Sequence, residues 1–178
     1  MSKIPYDLGK IKAVVCDIDG VLSPSTVPMD PDGEPHRMVN VKDGYSLLLA
    51  VRYGLRIAII SGARTPYVAN RFRILGIEDV FLNTLDKVPV LRRWMADRNL
   101  APEEVAYIGD DLPDLGPMAI VGLPIAPADA DTTVKTRALY ITVAKGGQGA
   151  VREVVEQIMI YRGDWQKEID RICAEVTQ

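Results

Sequence analysis

Ile11-Lys12-Ala13-Val14-Val15-Cys16 runs directly into Asp17-Ile18-Asp19-Gly20. A short, nearly continuous apolar run closed by a turn reads as a strand buried on both faces, as in parallel sheets. The two carboxylates then stand at the C-terminal end of that strand. Open α/β sheets bind ligands just outside those ends. Two acids there can hold a metal ion, or divide the work of nucleophile and proton donor.

Outward from this stretch the pattern repeats. Candidate strands are Ala13–Asp17, Arg56–Ile60, Asp79–Leu82, Val105–Ile108, Leu123–Ala126 and Tyr140–Val143. Helical patterns alternate with them at Gly44–Tyr53, Thr65–Leu75, Lys87–Arg98, Leu112–Val121 and Asp131–Arg137. This alternation predicts an α/β fold: a Rossmann-like three-layer sandwich with a mostly parallel sheet and helices on both faces. Ala150, Val151, Val154, Val155, Ile158 and Met159 form one apolar stripe of a further helix. After Gly163, the residues Trp165, Ile169, Ile172 and Val176 recur at helical spacing on a second segment. That segment could dock on its own chain or on a neighbouring subunit.

Val21 to Val41 breaks the alternation with Pro24, Pro28, Pro31 and Pro35 and the turn signal Asp30-Pro31-Asp32-Gly33. Pro at the second turn position and Gly at the fourth suit a type I turn. The expectation is a β-hairpin inserted after the first strand, over about residues 21–41, with its tip near Asp32-Gly33.

The 178 residues suit one domain, 1–178, carrying that insertion and a tail from about residue 163. A net charge of −3, with Lys and Arg scattered, speaks against nucleic acid as the main partner. No apolar stretch approaches the roughly 20 residues of a membrane span, and Met1 to Lys10 lacks the core of a signal peptide. Cys16 and Cys173 make no disulfide framework, so a cytoplasmic protein is expected.

Four candidate strands lead into reactive side chains: Asp17 and Asp19, then Ser61-Gly62, then Asp86-Lys87, then Gly109-Asp110-Asp111-Leu112-Pro113-Asp114. Parallel strands bring such ends to one sheet edge. Clustered carboxylates cannot all stay ionised without a cation, and an all-oxygen donor set points to Mg²⁺ rather than zinc. The inventory suits phosphoryl transfer. One carboxylate attacks phosphorus, Asp19 moves the proton, Ser61 hydrogen-bonds a phosphoryl oxygen and Lys87 offsets charge.

In order and spacing these four motifs resemble those of haloacid dehalogenase-like phosphatases. Asn40-Val41-Lys42-Asp43-Gly44-Tyr45 and Gly146-Gly147-Gln148-Gly149-Ala150-Val151-Arg152-Glu153 are similar to segments of a capless subfamily that carries a hairpin after the first motif. That subfamily dephosphorylates 3-deoxy-D-manno-octulosonate 8-phosphate, a step of lipopolysaccharide synthesis. The resemblance covers roughly Lys12 to Trp165. It implies Asp17 as nucleophile and Mg²⁺ ligand, and Asp19 as general acid/base that also gives its backbone carbonyl to the metal. Asp110 becomes the third metal ligand, with Asp111 and Asp114 as outer or alternate metal neighbours. Ser61 and Lys87 complete the catalytic set. Substrate contacts fall on Asp19, Asn40, Val41, Lys42, Asp43, Gly44, Arg64, Arg71 and Lys87. The implied assembly is a homotetramer. Two departures stand out: Ala63-Arg64 follows Ser61-Gly62 where the family usually has Arg directly, and Leu48 stands where some members carry Arg. Both touch substrate recognition rather than phosphatase chemistry, and leave a nine-carbon sugar acid 9-phosphate open as substrate. Two alternatives from other classes are a catalytically silent scaffold of the same fold, which the complete motif set disfavours, and a response-regulator-like receiver, which lacks the hairpin insertion.

Overall fold

The computed structural model describes residues 3–175. The strands are β1 (Ala13–Cys16), β2 (Arg56–Ile60), β3 (Asp79–Phe81), β4 (Val105–Ile108), β5 (Leu123–Ala126) and β6 (Tyr140–Ile141). The helices are α1 (Val41–Arg52), α2 (Pro66–Ile74), α3 (Lys87–Asp97), α4 (Leu115–Met118), α5 (Thr132–Lys135), α6 (Ala150–Tyr161) and α7 (Asp164–Glu175). The strands form one sheet in the order β3-β2-β1-β4-β5-β6, and every pairing is parallel.

Alternate residues of each strand face opposite layers. Val14, Cys16, Ile57, Ile59, Ala106 and Ile108 pack with Leu47 of α1, Phe72 of α2 and Val151 of α6. Ala13, Val15, Ala58, Ile60, Val105 and Tyr107 pack with Leu91 of α3, Met118 of α4 and Val134 of α5. The expected three-layer sandwich follows from that split. After β3 the chain returns to lay β4 on the other side of β1. The strand order therefore reverses between β1 and β4, where doubly wound sheets open their ligand crevice.

Several boundaries differ from the sequence expectation, each for a local reason. α1 starts at Val41 because the Asn40 side chain accepts from the N–H groups of Lys42 and Asp43 as an N-cap. The helix expected over Leu112–Val121 is a 3₁₀ turn (Leu112–Asp114) followed by the short α4. Pro113, Gly116 and Pro117 in that stretch are poor at propagating a helix. In the insertion, the Gly33 N–H donates to the Asp30 carbonyl at 2.9 Å, closing the expected turn. The Asp30 N–H donates to Glu34, and the His36 N–H to the Pro28 carbonyl. The pairing amounts to one antiparallel bridge, Met29 with Pro35, rather than two full strands, since four prolines remove N–H donors from the ladder.

The segment after Gly163 docks on its own chain. Trp165 packs against the core, with the Arg152 guanidinium 4.3 Å from its ring centroid. Glu168 accepts from Arg52 and Tyr53 at 3.1 Å each. Val176, which belonged to the expected apolar pattern, lies outside the described residues. Cys16 and Cys173 are free thiols.

Candidate active site

The site grows from the β1 and β4 ends. The Asp17 N–H donates to the Ile108 carbonyl at 3.1 Å, which ties the two ends together past the last paired residue. The chain then turns sharply. The Ile18 carbonyl accepts from Val21, Leu22 and Ser23, and Gly20 adopts φ +78°. A Cβ on Gly20 would lie 1.8 Å from Asp110 Oδ2. Glycine is therefore needed twice over, for the left-handed backbone and to admit the β4 carboxylate.

Asp17 is buried. Its Oδ1 accepts from the Ile18 N–H at 2.6 Å, and Lys87 Nζ lies 2.8 Å from its Oδ2. Lys87 is the first residue of α3, and its Nζ also lies 2.7 Å from Asp114 Oδ1. Asp114 organises this corner. It accepts from Lys87, from the Tyr107 hydroxyl at 2.7 Å, and from the N–H groups of Asp110 and Asp111 at 2.9 and 3.4 Å. Those donors occupy the roughly four acceptor positions of a carboxylate.

One oxygen each of Asp17, Asp110 and Asp114 lies within 4.8 Å of the others. The crowding is visible electrostatically. Burial first, then Asp114, Asp17 and Asp111, push the Asp110 carboxyl up to about 8. Burial and Asp114 raise Asp17 also, against the opposing pull of Lys87. For Lys87, burial disfavours the ammonium, but Asp17 and Asp114 reverse this and raise its pKa. One lysine thus leaves negative charge uncompensated. An all-oxygen cluster in that condition fits a hard divalent cation. Asp17 and Asp110 are the freer donors, because Asp114 is already engaged.

Asp19 stands half-buried and is gripped by Arg37 of the insertion, with Nε on Oδ1 and Nη2 on Oδ2 at 2.8 Å each. Ser61 follows β2 and is buried, its Oγ accepting from the Ala63 N–H at 3.2 Å. A cavity of about 260 Å³ lies between the insertion, α1 and α2; Ile18 and Arg37 line it, whereas Asp17, Asp19, Ser61, Lys87 and Asp110 do not. Asn40, Gly44, Arg71 and Arg37 are among its lining residues. Arg64, Val41 and Lys42 are exposed. Asp43 has a different place: it is buried, and its Oδ1 caps α6 by accepting from the Arg152 N–H at 2.6 Å. Burial raises its pKa, while the N–H groups of Arg152 and Gly149 pull it back. The glycine run serves packing. A Cβ on Gly146 would lie 1.8 Å from the Gly20 carbonyl oxygen, and the Gly147 N–H donates to Val21 at 2.8 Å.

Arg37 and Tyr107 were not singled out from the sequence. Tyr107 lies in an otherwise aliphatic strand, VAYI, and a phenol in such a run usually has a polar partner. Arg37 carried no comparable signal, because the insertion has no periodicity from which a side-chain direction can be read.

A doubly wound parallel sheet with an Asp-x-Asp turn after its first strand, a buried lysine and an acidic loop after its fourth defines a haloacid dehalogenase-like hydrolase, and residues 74–154 match that family directly. The chain is 40% identical over 150 residues to the 3-deoxy-D-manno-octulosonate 8-phosphate phosphatase KdsC of Yersinia pestis, covering 84% of this chain and 80% of that protein. It is 38% identical over 153 residues to KdsC of Escherichia coli K12, covering 86% and 81%. The crystal structure of the phosphatase from Moraxella catarrhalis, in complex with a magnesium ion, a phosphate ion and KDO, matches with a TM-score of 0.87 at 31% identity, covering 93% and 95%. The chain belongs to the 3-deoxy-D-manno-octulosonate 8-phosphate phosphatase family and is a phosphoric monoester hydrolase.

Proposed function

We propose that the enzyme hydrolyses 3-deoxy-D-manno-octulosonate 8-phosphate to 3-deoxy-D-manno-octulosonate and phosphate, through phosphoryl transfer to Asp17. The observation that carries this reading is the Asp17 carboxylate itself, buried at the switch point with Lys87 Nζ 2.8 Å from one oxygen. Asp17 attacks phosphorus and the bond to the sugar's O8 breaks. Asp19 delivers a proton to that leaving oxygen. Asp19 then takes a proton from water, which attacks the aspartyl-phosphate, releases phosphate and restores Asp17. Lys87 offsets negative charge on the nucleophile and the transferring group, and Ser61 donates to a phosphoryl oxygen.

Mg²⁺ is the proposed cofactor, held by the side chains of Asp17 and Asp110 and the backbone carbonyl of Asp19. When bound it neutralises phosphoryl oxygens. The sugar acid is assigned to the cavity beside Asp19, where Asn40, Gly44 and Arg71 offer polar groups and backbone, with Val41, Lys42 and Arg64 at its approaches. Asp43 supports this region by joining α1 to α6. The shared identity of the relatives supports an eight-carbon substrate. We assign the enzyme to the cytoplasm as a homotetramer of single-domain subunits. Among the described residues no helix is long and apolar enough to cross a membrane.

The decisive experiment is phosphate release from a panel of eight- and nine-carbon keto-sugar acid phosphates and ordinary sugar phosphates, with and without Mg²⁺. The eight-carbon ester is expected to lead and Asp17→Asn to abolish turnover. Undiminished turnover in that variant would remove Asp17 as nucleophile, and a faster nine-carbon ester would replace the substrate.

A further inference from the structure

Arg37 holds a cation in an unusual position. Its side chain is only 9% exposed, whereas that of Asp19 is 43% exposed. The guanidinium therefore sits behind the carboxylate and leaves it open to the cleft. The Arg37 backbone is pinned on both sides, by the His36 N–H on the Pro28 carbonyl and by the Met38 N–H on Ser23 Oγ. Nε and Nη2 are spent on Asp19. Nη1 is buried and has no hydrogen-bond partner among the described residues.

A buried donor without a partner is costly and uncommon in native proteins. Arg37 itself lines the 260 Å³ cavity, together with Ser23, Asn40, Thr65 and Arg71. Nη1 itself has almost no accessible surface, so the cavity meets other atoms of Arg37, and the fork on Asp19 is what holds a guanidinium in this place. We infer that Arg37 is a positioning residue: its Nε and Nη2 hold the Asp19 carboxylate toward the leaving oxygen. The inference rests on the phosphatase reading above and extends it to a residue outside the four motifs that orients the proton donor. The fork geometry is what Lys could not reproduce, being a point charge on a flexible stem.

The test compares Arg37→Ala and Arg37→Lys on two esters. The esters are the sugar-acid phosphate and p-nitrophenyl phosphate. The second has no polyol chain, and its leaving group needs little proton donation. On the sugar-acid phosphate, kcat of Arg37→Ala is expected to fall about 10²-fold or more, the usual scale of a lost acid/base contribution. The loss on p-nitrophenyl phosphate is expected to be at least about ten times smaller. Arg37→Lys keeps a cation at this position and should restore part of the loss at most. Equal proportional losses on both esters, or full recovery by Lys, would each overturn the assignment. Failure of the phosphatase reading looks different: the unaltered enzyme then releases no phosphate from the sugar-acid ester, and the role of Arg37 falls with it.

Discussion

Replacing Lys87 with Met keeps much of the side-chain length and removes the ammonium that lies between two buried carboxylates. Lys87 Nζ lies 2.8 Å from Asp17 and 2.7 Å from Asp114, and its side chain is 4% exposed. Burial disfavours its charge, yet Asp17 and Asp114 more than reverse that effect and raise its pKa. The ion pairs therefore outweigh desolvation, and removing the cation leaves buried negative charge uncompensated. Breaking a buried pair in this way costs about 3–5 kcal/mol. That is a large part of the roughly 5–15 kcal/mol by which a domain is stable. At about 2–4 °C per kcal/mol for a chain of this size, the melting midpoint should fall by about 6–20 °C. Calorimetry in the presence of a chelator measures this directly. Mg²⁺ should recover part of the shift, since a divalent cation among Asp17 and Asp110 supplies the missing positive charge. Phosphate release should stay lost, because the ion does not replace the ammonium beside Asp17, the proposed nucleophile. A midpoint within about 2 °C of wild type in chelator would refute the charge argument, and near-normal turnover would refute the role of Lys87.

Other consequences follow from the same geometry. Gly20→Ala places a methyl group 1.8 Å from Asp110 Oδ2, so denaturant unfolding should register about 1–3 kcal/mol of overpacking before any penalty for φ +78°; unaltered stability would contradict the close approach. Tyr107→Phe removes one donor from Asp114 and should cost about 1.5–3 kcal/mol, the scale of a hydrogen bond to a charged group, and urea unfolding of the variant checks it. Glu168 is held down to about 2 from an ordinary 4.5, first by its hydrogen bond from Arg171. Its folded pKa is the lower one, so its contribution is present above about 4.5 and is lost as pH falls toward 2. Acid titration of Trp165 fluorescence in a Trp94→Phe background should show α7 loosening across that window. An identical acid profile in Glu168→Gln would show that the carboxylate does not hold the helix.

What was legible in the sequence depended on how local each decision was. Val14, Val15 and Cys16 announce a doubly buried strand by themselves, and Asp17 announces its end, so the β1 carboxylate could be placed from a few residues. The same logic holds for Ser61 after β2, Lys87 at the head of α3 and Asp110 after β4. The sheet needs only to be parallel for these ends to share an edge. Asp114 was readable as an outer or alternate neighbour of the proposed metal ligands, but not as the acceptor that joins Lys87, Tyr107 and the Asp110 N–H, because those donors come from three different places in the chain. Asp43 illustrates the limit more sharply. An acid in the first turn of a helix ordinarily serves that helix. Asp43 lies in the first turn of α1, yet its carboxylate caps α6, 109 positions away. The cap is formed only because Gly146 and Gly147 let the α6 approach press against the turn after β1. That turn is also where Gly20 admits Asp110, so the glycines after β6 and the glycine after β1 serve one end: backbone brought close enough for carboxylates from separate strands to meet. Arg37 lies at the far extreme, in an insertion with four prolines and one bridge. No period there sets which way a side chain points, and only the folded chain brings that cation behind Asp19.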